Sequence, residues 1–252
     1  MEAMIHKAAG LGLEQLCFTE HMDFEYPISE STPEGLFEVD TTAYQEKFRE
    51  IHTAQQKLPC LLYGIELGLQ AHLAPRLTAY VSGNSFDFII GSSHICHGKD
   101  PYVGTFWEGR DVEDACREYF SSIIENLESF TDFDVYGHLD YVIRYAPEKD
   151  MGYCYEKYRD LFDRIIDLLL EKGIGLEVNT GGIGYGLRNL HPCNEILKRY
   201  RRLGGDIVTV GSDAHRPEDL CRGFDLAEHV LKDCGFTHYA VFACRTPHFI
   251  KL

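Results

Sequence analysis

The stretch Val208-Thr-Val-Gly-Ser-Asp-Ala-His215 decides the fold. Ile207 to Val210 are apolar or β-branched and predict a short buried parallel strand. A Gly-Ser turn follows, then Asp213 and His215, then Arg216-Pro217-Glu218-Asp219, which predicts a helix start. Strand, turn, acid and imidazole, helix is how an α/β barrel presents polar side chains at the carboxyl end of a strand.

The same unit recurs towards the amino terminus. Leu13–Phe18 predicts a strand leading into Thr19-Glu-His-Met-Asp23, and Cys60–Ile65 one that runs into Glu66. Phe86–Ile90 precedes Gly91-Ser-Ser-His94, and Phe133–Tyr136 precedes Gly137-His-Leu-Asp140. Ile174–Val178 carries Glu177. Helices are expected from a Thr41 or Thr42 cap to about Lys57, around Leu69–Val81 with a break or late start at Pro75, from an Asp111 cap to Phe130, and over Tyr155–Lys172 with Gly173 as the stop. His191-Pro192 is expected to open a further helix with His191 as its cap, and Leu226–Cys234 to form the next. Thr237–Phe242 predicts a last strand. Two long loops, 24–40 and 97–110, are long enough to suggest function. With no repeat, low-complexity tract or linker, residues 1–252 are expected to form a single domain. Strands alternating with helices predict a parallel α/β fold, and polar residues at every strand's carboxyl end favour a barrel over an open sheet.

The 252 residues suffice for one sizeable core. Lys+Arg 24 against Asp+Glu 40 gives a formal charge of −16, which argues against a nucleic-acid partner. The nine cysteines form no Cys-x-x-Cys and predict reduced thiols in a cytoplasmic protein. No apolar run predicts a membrane span, and the chain opens directly in helix-like sequence with no leader expected.

Taken alone, His21, His94, His138 or His215 is an ordinary hydrogen-bonded loop histidine. Together, at successive strand ends and beside Glu66, Glu177 and Asp213, they predict a metal site. Mixed imidazole and carboxylate donors suit divalent Zn, Mn or Fe. Glu66 could bridge two ions, and Asp213 is placed to touch bound water. Such a site hydrolyses a phosphate ester or an amide. No P-loop, dinucleotide fingerprint or Gly-x-Ser-x-Gly competes, and Gly181-Gly-Ile-Gly184 lacks dinucleotide spacing. Arg144 and Arg188 are expected over the barrel mouth, where a phosphate dianion would favour guanidinium contacts. Tyr141, Tyr145 and Tyr185 are candidates for the pocket wall.

Five motifs, Thr19-Glu-His-Met-Asp23, Gly64-Ile-Glu-Leu-Gly68, Gly91-Ser-Ser-His94, Gly137-His-Leu-Asp140 and Gly211-Ser-Asp-Ala-His215, occur in the order found in the PHP (polymerase and histidinol phosphatase) superfamily, which the whole chain resembles. Within it, Phe86–His94, Tyr136–Arg144 and Leu176–Gly182 resemble the histidinol-phosphate phosphatases. The resemblance implies a distorted (β/α)7 TIM-like barrel with a trinuclear metal centre, where the donors by themselves suit two or three divalent ions. It assigns His21, Glu66, His94, His138, Asp213 and His215 as ligands, with Glu66 bridging. Arg144 and Arg188 would contact substrate phosphate, and Asp213 or His215 would assist proton transfer. The implied reaction is hydrolysis of L-histidinol phosphate to L-histidinol and phosphate. The alternatives are another small phosphate ester, such as a nucleotide or sugar phosphate, and a metal-poor remnant with a binding role. The family's first strand, with its His-x-His, has no counterpart here, because Met1 falls where the family's first helix runs. That departure predicts two fewer ligands, weaker metal loading and an open seam between the first and last strands.

Overall fold

In the computed structural model, residues 1–54, 59–150 and 152–252 are described. Six parallel strands form one sheet in strict sequence order: β1 (Gln15–Met22), β2 (Cys60–Gly68), β3 (Phe88–Ser92), β4 (Val135–Tyr136), β5 (Gly175–Asn179) and β6 (Val208–Gly211). Helices fill the connections: α1 (Glu2–Gly10) precedes the sheet, and α2 (Thr41–Ala54), α3 (Ala74–Ser82), α4 (Val112–Ser129), α5 (Arg159–Lys172) and α6 (Asn194–Arg202) lie between strands. After β6 come α7 (Phe224–Asp233) and an antiparallel hairpin, β7 (His238–Ala243) and β8 (Thr246–Lys251).

Strand order without reversal, each strand joined to the next through a helix, is the topology of a barrel and not of an open doubly wound sheet. The period-two alternation of each strand divides its side chains between two cores. Phe18, Tyr63, Ile65, Leu67, Ile89, Tyr136, Leu176 and Val178 face outward into a large core shared with the helices. Phe88, Ile90 and Val135 face inward and meet Cys17, Ile207, Ala240 and Phe242. Residues from β1, β3 and β4 and from the edge of β6 touch one small cluster, so the sheet is curled into a partial barrel. The hairpin plugs its amino end. There Arg245 donates through Nε to Asp134 Oδ1 at 2.7 Å, and the Cys244 N–H donates to Asp87 Oδ1 at 3.0 Å.

Among the described residues the edge strands β1 and β6 do not pair with each other. A cavity of about 870 Å³ lies between them, which is the seam expected from the sequence. Six parallel strands are described where a (β/α)7 barrel has seven.

Local signals behave largely as their chemistry dictates. Asp111 caps α4 by accepting from the Glu113 N–H at 2.8 Å, and Gly173 closes α5 in a left-handed conformation, φ 70°. Pro75 sits in the first turn of α3, a late start and not a break. The expected continuation of α2 to Lys57 lies outside the described residues. Two expectations are corrected. Arg216–Asp219 makes only a short turn, because Cys221 and Gly223 take positive φ (61° and 78°) and α7 starts at Phe224. His191 caps no helix, since α6 begins at Asn194 after Cys193 and the His191 ring is buried in the protein interior.

Candidate metal centre

The carboxyl ends of the strands bring four of the expected ligands into direct contact. β1 and β2 pair with His21 opposite Glu66, and β1 runs further than the sequence suggests, so that His21 lies on the strand itself. Glu66 is buried on the inner face. His94 and His138 reach it from the loops after β3 and β4. His94 Nε2 lies 3.1 Å and His138 Nε2 3.0 Å from Glu66 Oε1, while His21 Nε2 lies 3.8 Å from Oε2. The Nε2 atoms of His94 and His138 are 3.4 Å apart.

Asp23 organises this cluster from behind. Its two oxygens accept from the far ring nitrogens, His94 Nδ1 at 2.6 Å and His21 Nδ1 at 3.1 Å. Those bonds place the protons on Nδ1 and turn both Nε2 lone pairs towards Glu66. Asp23 has no role assigned from the sequence, although its i, i+2 spacing from His21 on an extended segment is a usable signal. A carboxylate on each side of a neutral ring leaves one nitrogen facing lone pairs, so the arrangement calls for a cation at Nε2. Burial works against charge on His94, but Asp23 and Glu66 outweigh it and hold the ring well above its ordinary range. The same balance puts His21 at about 9. Burial likewise opposes a charged Glu66, and the three imidazoles hold it well below the carboxylate range. A divalent metal satisfies the same donors in place of protons. The buried His138 Nδ1 has no hydrogen-bond partner among the described residues. His21, Glu66 and His94 each offer a ligand atom within 4.8 Å of the others, so the donor set fits a divalent ion.

Glu177, which the sequence placed at this depth without assigning it, is buried beside the cluster. Its Oε2 accepts from the His138 N–H and from Asn179 Nδ2, each at 3.1 Å. Burial pushes its carboxyl up to about 6. Glycine makes room for it: a Cβ on Gly211 would lie 2.1 Å from Glu177 Oε1.

Asp213 and His215 line the same cavity but stand apart from the four contacting ligands. Asp213 Oδ2 accepts from both terminal nitrogens of Arg144 at 3.1 Å. His215 is exposed, its Nδ1 lies 3.1 Å from the Asp213 carbonyl oxygen, and its ring is 5.9 Å from that of His21. Arg144 is buried, with its guanidinium 5.2 Å from the Tyr141 ring and 4.7 Å from the Tyr185 ring. Tyr145 packs edge-on against both tyrosines. His191, expected as a cap, supports Arg144 instead: Asp140 Oδ1 accepts from its Nδ1 at 2.5 Å, and its Nε2 accepts from Arg144 Nε at 3.5 Å. Arg188 is not gathered in. Its side chain is exposed, and its backbone N–H donates to Asp150 Oδ2. The two long loops are tied together, with the Tyr26 hydroxyl donating to Asp100 Oδ2.

Four imidazoles and three carboxylates at successive strand ends, in this order, can be compared with known proteins. The PHP domain family matches residues 1–181. This chain belongs to that family. It is 27% identical over 240 residues to the histidinol-phosphatase of Lactococcus lactis subsp. lactis (strain IL1403), covering 95% of this chain and 87% of the relative. It is 28% identical over 222 residues to a probable histidinol-phosphatase of Clostridium acetobutylicum, covering 87% and 82%. The crystal structure of the Lactococcus lactis histidinol phosphate phosphatase, complexed with zinc, L-histidinol and phosphate, superposes with a TM-score of 0.86 at 26% identity over 98% of this chain and 92% of that one. The PHP fold, with a His and Glu group suited to a divalent metal, is therefore a property of this chain. No described helix is long and apolar enough to cross a membrane.

Proposed function

We propose that this chain is a metal-dependent phosphomonoesterase that hydrolyses L-histidinol phosphate to L-histidinol and phosphate. The observation that carries the reading is the convergence of the His21, His94 and His138 Nε2 atoms on Glu66, two of them aimed by Asp23, beside a buried arginine in an aromatic wall. The relatives named above point to the same substrate. The ligands proposed are His21, Glu66, His94, His138, Asp213 and His215, holding two or three ions of Zn, Mn or Fe. Ions bound there would activate water and neutralise phosphoryl oxygens.

The chain's own residues supply the rest. Arg144 neutralises phosphate charge, and its planar fork is held for that task by Asp213. Arg188 is proposed as a second phosphate contact at the rim. Tyr141, Tyr145 and Tyr185 offer ring faces and edges that suit a planar imidazole. Asp213 and His215 are the groups proposed to assist proton transfer. Residues 1–252 are proposed to act as one PHP domain.

The test is phosphate release by metal-replete protein from L-histidinol phosphate, beside nucleoside monophosphates and sugar phosphates. Preference for L-histidinol phosphate supports the proposal. Efficient cleavage of another ester with none of this one overturns the substrate assignment. Less than one equivalent of metal after reconstitution, with no hydrolysis, overturns the enzyme reading. Arg144→Lys is expected to lower kcat/KM about 10- to 100-fold, the equivalent of one charge-assisted hydrogen bond. Arg188→Ala should raise KM if that side chain meets the phosphate.

A further inference from the structure

Beyond the cluster around Glu66, a group of different chemistry stands on the outer side of the loop that follows His94. Cys96 and Lys99 exchange backbone hydrogen bonds, Cys96 N–H to the Lys99 carbonyl at 2.8 Å and Lys99 N–H to the Cys96 carbonyl at 3.0 Å. The two residues between them, His97 and Gly98, both take positive φ (47° and 76°). That is a two-residue turn of the tight hairpin type, which fixes the imidazole at its tip. A non-glycine residue there is uncommon, and the ring it carries is engaged on both sides. His97 Nδ1 lies 3.0 Å from Glu118 Oε1, and Nε2 lies 2.8 Å from Glu125 Oε2. Glu118 and Glu125 project from α4 two turns apart, on one face. The thiol of Cys96 is fully buried beneath them.

A neutral imidazole has one N–H and cannot donate to two carboxylates. One ring nitrogen therefore faces an oxygen lone pair, unless a second proton or another cation sits between them. The third donor separates these two cases. Cys96 packs in the main core, yet its Sγ, a His97 ring nitrogen and a Glu118 oxygen all lie within 4.8 Å of one another, which favours a cation over a second proton. Sulfur, nitrogen and oxygen donors together select a borderline-soft cation of the zinc class. Two ligands of one tetrahedral zinc stand about 3.3 Å apart, close to the observed Nδ1–Oε1 separation. Glu125 then has a definite task. By accepting the Nε2–H, it fixes the tautomer that turns the Nδ1 lone pair towards Glu118. Arg110 holds the other oxygen of Glu118 and leaves Oε1 free to turn inward.

We propose that Cys96, His97 and Glu118 form a separate site for a single zinc-class divalent ion, with Glu125 orienting the imidazole. As the metal–sulfur bond forms, the Cys96 thiol gives its proton to water, and water completes the coordination. Because Cys96 lies two residues beyond His94, the ion would pin the loop that carries a ligand of the main centre. The site stands independently of the phosphatase reading, since neither its donors nor its test involves the substrate.

The test is titration of the full chain with Co(II), followed in the near ultraviolet, where only a thiolate ligand gives an intense charge-transfer band. The donors gathered around Glu66 are nitrogen and oxygen and give none. The expected result is a band whose amplitude corresponds to one thiolate-bound Co(II) per chain beyond the ions taken up around Glu66, which vanishes in Cys96→Ser and needs at least tenfold more Co(II) in His97→Gln and Glu118→Gln. The last two positions are partly exposed, which keeps the test open should Cys96→Ser fold poorly. Zinc content after dialysis should fall by one equivalent in each variant. No band at saturating Co(II), a band that survives Cys96→Ser, or an unchanged titration in both His97→Gln and Glu118→Gln overturns the proposal and leaves an imidazolium clamp.

Discussion

Asp23→Asn tests whether the metal centre is built from behind. The carboxylate is buried and accepts from two imidazoles at once, His94 Nδ1 at 2.6 Å and His21 Nδ1 at 3.1 Å. Asparagine keeps the shape but has one acceptor oxygen, and its amide nitrogen brings protons to face the other ring. That ring must then give up its bond or take the other tautomer, which moves its proton to Nε2 and removes a lone pair from the group around Glu66. The loss is one hydrogen bond to a charged acceptor in a buried place, about 1.5–3 kcal/mol. Expressed as an equilibrium constant, this is about 10- to 150-fold in metal affinity, in line with the usual cost of losing a carboxylate behind a ligating imidazole. Competition with a chromophoric chelator measures it directly. Hydrolysis should recover in part at raised metal concentration, since none of the atoms facing substrate is changed. Wild-type metal affinity in a folded Asp23→Asn protein would refute the reasoning, because Asp23 would then only fill space.

Gly68→Ala should give a similar defect without touching an ionisable group, because the new Cβ would lie 2.0 Å from Asp23 Oδ1 and must displace it; loss of stability with unchanged metal binding would argue otherwise. Leu169→Ala, in the fully buried face of α5, should cost about 2–5 kcal/mol in denaturant unfolding while leaving metal affinity alone, so it is the control for general destabilisation. Asp163 supplies a pH prediction. Partial burial opposes its charge, but Arg199 and the Tyr155 hydroxyl outweigh this and hold its carboxyl below the ordinary range. A depressed folded-state value adds stability above the unfolded value, about pH 4, and loses it as the pH falls through the folded one. Asp163→Asn should therefore be less stable than wild type at neutral pH, with the difference closing below about pH 4. An equal difference at pH 7 and pH 3 would count against this assignment.

Much of the fold was legible in the sequence because its causes are local. β-Branched runs ended by glycine and a polar residue placed the strands, Asp111 and Gly173 marked helix ends through hydrogen bonds to their own neighbours, and Pro75 set a helix start. Where the reading failed, the cause was longer in range. Pro192 beside a histidine resembles a helix start, yet His191 is held by Asp140, from a different strand's loop, across 51 residues of chain. The turn at Arg216–Asp219 does not continue as helix, because the following loop is drawn towards β5, where Thr180 Oγ1 donates to the Arg222 carbonyl.

The sequence by itself determined the order of the strands and the polar residue at each carboxyl end, and so which side chains were candidates for donors. This follows because alternation and turn chemistry act over a few residues and survive being read in one dimension. Only the tertiary structure decided which donors meet. It joined His21, Glu66, His94 and His138, put Asp23 behind two of them, held Asp213 on Arg144, and left Arg188 exposed. The reason is curvature: contacts between side chains on different strands depend on how far the sheet curls and on the glycines that let carboxylates cross its end, and neither is written in any single stretch of chain.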